Sequence, residues 1–171
     1  MGWKNVKEHY RIGHLVCVTH EGISIGSPYC PNLIVIGNDG RLRKEREALT
    51  GNKELVRYQT EMEADPAKLK ELIDTPDTFE RSIPIWTYDG GDIIEKQCED
   101  PEPLNVTHDG ELIYENRHST DRQKVVAFAK RNAEAGIELI GGQIEEVTER
   151  LLRLHLRLDE CKTNLGKLRT A

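Results

Sequence analysis

Aromatic residues are scarce: tryptophan, tyrosine and phenylalanine together make 5% of the 171 positions. A nucleic-acid reader that stacks bases needs more of them, set among basic residues. No run of about 18 apolar residues exists, so no membrane-spanning helix is expected. The opening Met1-Gly2-Trp3-Lys4 has no apolar core of a secretory signal, so the expected compartment is the cytoplasm. Cysteine is sparse too, with Cys17, Cys30, Cys98 and Cys161 at unrelated spacings. That excludes a disulfide framework and a paired-cysteine zinc motif, and points to reduced thiols. There is no phosphate-binding glycine loop followed by Lys and Ser/Thr, no dinucleotide fingerprint and no nucleophile elbow. No cofactor and no bound metal are expected, and the reading is of a protein that is not an enzyme.

Charge is plentiful, at 32% of residues, and unevenly placed. Residues 1–46 carry 7 basic and 4 acidic side chains, a balance of +3. Residues 47–118 carry 7 basic and 18 acidic ones, a balance of −11. Residues 119–171 carry 10 basic and 8 acidic ones, a balance of +2. An acidic middle repels nucleic acid and favours a basic partner. The carboxylates proposed for such a surface are Glu61, Glu63, Asp65, Asp89, Asp92, Glu95, Glu99 and Asp100. The alternative is a solvated face that only keeps the chain in solution. Lys4, Lys7 and Arg11 are read as a solvated basic face.

The pattern of elements predicts an α+β fold: a small antiparallel meander and hairpins, short helices and a long C-terminal helix. Leu15-Val16-Cys17-Val18 and Leu33-Ile34-Val35-Ile36 are β-branched runs between turn residues, and Ile23-Ser24-Ile25-Gly26 alternates between them. Asn38-Asp39-Gly40 is a tight turn returning through Arg41-Leu42-Arg43. Residues 52–73 are helical by spacing, with a second helix starting at Pro66 behind an Asp65 cap and ending at Thr75-Pro76-Asp77. Two further hairpins are expected. One runs through Asp89-Gly90-Gly91-Asp92, the other through His108-Asp109-Gly110. The body is assigned to 1–118 and the helix to 119–171. Thr120-Asp121-Arg122-Gln123 fits a capping box with Thr120 as the cap, and Val125, Val126, Phe128, Ala129 and Ala133 form a face expected to pack on the sheet.

From Ile137 the spacing becomes a heptad over 137–168. The a positions are Ile137, Ile144, Leu151, Leu158 and Leu165, and the d positions are Ile140, Val147, Leu154, Cys161 and Leu168. Alternating steps of three and four keep such residues on one seam as helices supercoil. The alternative is an amphipathic helix lying on its own domain. Gly141-Gly142 interrupts neither phase nor seam, so a soft point is expected there rather than an end. The e and g positions beside the seam hold no carboxylate. A parallel homodimer sets Arg157 against Lys162 of its copy, which weakens the pairing by a few tenths to about 1 kcal/mol. Burying a seam residue gains about 1.5–3 kcal/mol, so homodimerisation is weakened but not forbidden, and a partner helix with acidic flanks would fit better. Leu152 and Leu156 lie off the seam and allow a larger bundle.

Three constellations are weighed for chemistry. His14, Cys17 and His20 do not converge on a strand, where 14 and 20 share one face and 17 takes the other. Cys30 sits in a loop with no base in reach by sequence. Asp89, Asp92 and Glu95 surround ordinary hairpin chemistry.

The opening Met1-Gly2-Trp3-Lys4-Asn5-Val6-Lys7, the stretch Thr87-Tyr88-Asp89-Gly90-Gly91-Asp92 and the C-terminal coiled coil resemble small accessory proteins carried by phages and prophages. The resemblance implies a non-catalytic protein in the cytoplasm of a bacterial host, acting as an inhibitor of a host defence in the manner of an anti-CRISPR, or of a nucleic-acid-handling protein. Its partners would be its own copy, as a homodimer, and a host protein. The competing readings are a scaffold whose coiled coil joins a larger complex, and an enzyme using Cys30 or a metal at Asp89 and Asp92.

Overall fold

The computed structural model describes residues 1–44 and 52–169. The start of the acidic segment, 47–51, lies outside the described residues. The fold is α+β, as the residue pattern predicts. Its first sheet holds β1 (Leu15–Thr19), β2 (Gly22–Gly26), β3 (Ile34–Ile36) and β4 (Leu42–Lys44), antiparallel and in chain order. Val16 pairs with Ile25 and Ile25 with Ile34, while Ile23 pairs with Val18 and Ile36. Side chains alternate along a strand, so these residues share one face. That face is the core, closed by Trp3, Val6, Tyr10, Leu55, Tyr58, Met62, Leu69 and Ile73 from three helices. Each fully buried large side chain contributes about 1.5–3 kcal/mol.

Two of those helices lie where the spacing put them. α2 (Lys53–Ala64) begins at Asn52, whose side chain accepts from Leu55 N. α3 (Pro66–Asp74) begins at Asp65, whose carboxylate accepts from Lys68 N at 2.9 Å, with Pro66 in the first turn, where its missing N–H costs nothing. The remaining helix, α1 (Trp3–His9), has no counterpart in the sequence reading. Seven residues are too few to show a period, although Trp3, Val6 and Tyr10 do follow steps of three and four. Gly2 N ties its start to Ile73 O at 2.8 Å.

A second, two-stranded sheet joins β5 (Ile83–Asp89) to β6 (Asp92–Cys98) through Gly90-Gly91, with Gly90 at φ +55°. The expected third hairpin is only partly built. Thr107 N bonds Glu111 O at 2.9 Å, closing the His108-Asp109-Gly110 turn; beyond it Ile113 exchanges bonds with Leu104 N and Asn105 O, but the pairing is isolated bridges, Val106 to Leu112 and Cys98 to Thr107, and no strand. Leu104 at φ +71° bends the chain out of strand geometry, and Pro101 and Pro103 have no N–H to offer a ladder. The turn docks on the edge of β1, where Val18 N donates to Gly110 O at 2.8 Å. Trp3 Nε1 reaches His108 O at 3.0 Å, and the Phe79 ring stacks on His108 at 3.7 Å.

The last element is α4 (Arg122–Arg169), 48 residues without a break at Gly141-Gly142. Its cap differs from the expected one. Asp121 Oδ1 accepts from Gln123 N at 2.8 Å, while Thr120 lies one residue further out. Aspartate does what the hydroxyl was expected to do, with a full charge at the helix N-terminus. Trp86 and Ser119 exchange both backbone bonds, at 2.8 and 3.0 Å, just before the helix. Val125 is fully buried, Val126, Phe128 and Ala129 are half-buried, and Ala133 is exposed. The chain divides into two compact units, Met1–Val126 and Ala127–Ala171, so the first turn of α4 belongs to the body. Among the described residues no helix is long and apolar enough to cross a membrane.

Candidate functional site

The described residues of the second unit are one helix, and no side chain from 127 to 169 is buried. Yet this segment is rich in large apolar residues. Ile137 is 73% exposed, Ile144 60%, Leu151 52%, Leu158 50% and Leu168 75%. Ile140, Val147, Leu154 and Leu165 are exposed in the same range, and Cys161 is exposed as well. All ten positions of the expected seam thus lie on one unbroken helix with their side chains open. A surface helix ordinarily spends such a stripe on its own core. Here no described residue of the helix beyond Val126 is buried, so the stripe is not spent on a core. Leu139, Leu152 and Leu156, off the seam, are exposed too. Polar neighbours on the helix bond along it: Thr148 and Thr163 hydroxyls donate to the carbonyls of Ile144 and Asp159.

The eight carboxylates expected to form an acidic surface are spread over α2, β5, β6 and the segments beside them, and have mixed duties. Glu61 is paired with Arg57 at 3.0 Å on α2, and Asp65 is the cap of α3. Glu63 is exposed beside them. Glu99 accepts from Lys4 Nζ at 2.8 Å and from Glu80 N at 2.7 Å. Burial works to raise the Glu99 carboxyl, but those partners outweigh it and hold it below the usual range. Asp100 accepts from Glu102 N. Asp89 and Asp92 face each other across the hairpin end and are exposed, while Glu95 pairs with Trp86 on the opposite face of the ribbon. The hairpin therefore does not bring the three together. Lys4, expected among solvated basic residues, is instead tied to Glu99 and lies 5.1 Å from the Phe79 ring.

The thiols and strand histidines are dispersed. Cys17 and Cys98 are buried, and burial pushes both thiols up, away from the reactive thiolate. Cys30 is exposed in a tight loop where its N–H meets Ser27 O. His14 faces Tyr58 and Asn52, and His20 is exposed. Among the described residues no group of three or more His, Cys, Asp or Glu side chains is placed to hold a metal ion.

One polar cluster was not anticipated from the residues. Lys96 Nζ stands 2.5 Å from both Asp109 and Glu111, and Asp109 also takes the Thr107 hydroxyl. His118 is enclosed, its side chain 0% exposed. Its Nδ1 accepts from Tyr114 N at 3.2 Å, which leaves the ring proton on Nε2, 3.4 Å from Glu111 Oε1. That last approach is not aligned as a hydrogen bond, so His118 acts on Glu111 through proximity, beside the direct Lys96 contact. The His118 ring lowers the Glu111 carboxyl, burial opposes it, and Lys96 adds to the lowering, for a net fall from 4.5 to about 2. The cluster ties β6 to the turn and to the entry of α4. Its members come from three stretches of chain, and no local spacing announces that.

Compared with known proteins, the chain matches no family model, no curated protein sequence and no solved structure.

Proposed function

We propose that this chain is a non-catalytic protein-binding module that assembles through the seam of α4 and uses its α+β body to engage another protein. The observation that carries this reading is the run of ten heptad positions on one unbroken helix, all exposed. Dispersion and desolvation favour covering such a row, and a matching row on a second helix does so at full packing density. The exposed carboxylates Asp89 and Asp92, facing each other at the hairpin end, supply charge that a basic groove would recognise. A partner whose groove ordinarily holds nucleic acid suits them, and the resemblance to phage accessory proteins implies an inhibitory role.

Light scattering on the full-length protein after gel filtration tests the assembly. The native chain should run as an oligomer, and Leu151→Lys with Leu158→Lys should run as a monomer with its body intact. A native monomer at all concentrations overturns the reading. For recognition, neutralising Asp89 and Asp92 should abolish capture of a basic partner, and added nucleic acid should compete for it. Capture unchanged by both treatments removes the acidic surface from the proposal.

A further inference from the structure

The rows on either side of the seam bear on how many copies assemble, and this inference rests on the self-association proposed above. The flanking e and g positions carry Arg150, His155, Arg157, Lys162 and Arg169 and no carboxylate. The next rows out, b and c, carry five acids, Glu138, Glu145, Glu146, Asp159 and Glu160, against two bases, Arg153 and Lys167. In a two-stranded coil the e and g rows face each other and the b and c rows face water. That arrangement sets base against base along the seam and leaves Leu139 and Leu152, 65% and 60% exposed, in solvent.

A bundle of three or four helices changes both facts. Each helix then touches two neighbours, and its contact face widens from the seam to include the outer rows. The basic e and g rows of one copy meet the acidic b and c rows of the next. In a parallel, in-register bundle Arg157 and Lys162 lie within about a turn of Asp159 and Glu160 on the neighbouring copy. Leu139 and Leu152, members of the same outer rows, are covered by that contact. The seam agrees: Ile at both a and d shifts helices from two strands toward three or four, and the first heptad holds Ile137 and Ile140. Ile144 and Val147 keep the next heptad β-branched.

We infer that α4 assembles this chain into a parallel bundle of three or four copies, held by its own basic flanks against its own acidic outer rows. Sedimentation equilibrium of the full chain should give three or four times the protomer mass. A dimer overturns the bundle while leaving self-association standing. A monomer overturns both, including one that takes up another protein's helix or a lipid vesicle instead. Reversing the outer row with Asp159→Lys and Glu160→Lys should weaken the assembly at least about tenfold. Adding Arg157→Glu and Lys162→Glu to that chain should restore it. No change on the first reversal means the outer row faces water, and the bundle is wrong. Leu152→Gln is the uncharged counterpart, weakening a bundle and leaving a two-stranded coil untouched, with circular dichroism confirming that the helix persists.

Discussion

Gly110 stands at φ +90°, and a Cβ built there would lie 2.2 Å from Val18 Cγ2. Its carbonyl accepts the Val18 N–H, so backbone meets backbone with no room for a side chain. Gly110→Ala should lower stability by about 2–3 kcal/mol in urea unfolding, through combined strain and overpacking. The Asp-Gly signal predicted the turn, but the neighbour that forbids a methyl group comes from 92 positions away. Glu111 offers a second prediction. Folding holds its carboxyl near 2, below the ordinary 4.5, so the unfolded chain takes up this proton first as pH falls. The stability it lends is complete above about 4.5 and is lost as pH drops toward 2. Glu111→Gln should therefore cost about 2 kcal/mol at neutral pH, and the gap to the native chain should close across that window. A gap that stays constant from pH 6 to about 2 would show the ion pair contributing nothing.

Elements were legible where local chemistry alone decides them. Asp65 and Pro66 together stop α2 and start α3, and no tertiary contact is needed to see it. The strands of the first sheet were legible from β-branched runs, and the helix seam from its period. What escaped were features settled by distant partners. α1 is too short for a periodic signal and exists because Trp3 and Val6 complete a core built from other segments. The third hairpin fails as a regular ladder because Leu104, though its N–H meets Ile113 O, stands at φ +71°, which its residue type does not announce. The seam was readable as a pattern, whereas its openness required knowing that nothing in residues 127–169 is buried. At Gly142 an added Cβ meets nothing within 4 Å, and the position faces away from the seam. Gly142→Ala should thus stabilise the helix by about 1 kcal/mol, measured by thermal melting of the helical signal. Cys161 reports strand direction. In a Cys30→Ser chain, a short bismaleimide should link Cys161 between copies if the helices run parallel in register, and should fail if they run antiparallel.

At the scale of the whole molecule, the two units draw stability from different sources. The body has a continuous core of its own, from Trp3 to Ile73, with a satellite of Ile85, Cys98 and Ile113. The helix beyond Val126 has no such core, and most helical stability in proteins comes from packing of an amphipathic face. Its melting temperature should rise with protein concentration, while the body's tryptophan signal melts at a constant one. Coincident, concentration-independent transitions would place the two units in one cooperative block.

The uncovered row on α4 would also tie the chain's lifetime to its abundance, given the self-association proposed above. A lone copy shows proteases and chaperones a long helix studded with leucine, and assembled copies would hide one another. Gene dose would then be converted into half-life, with the threshold at the concentration at which the seam fills.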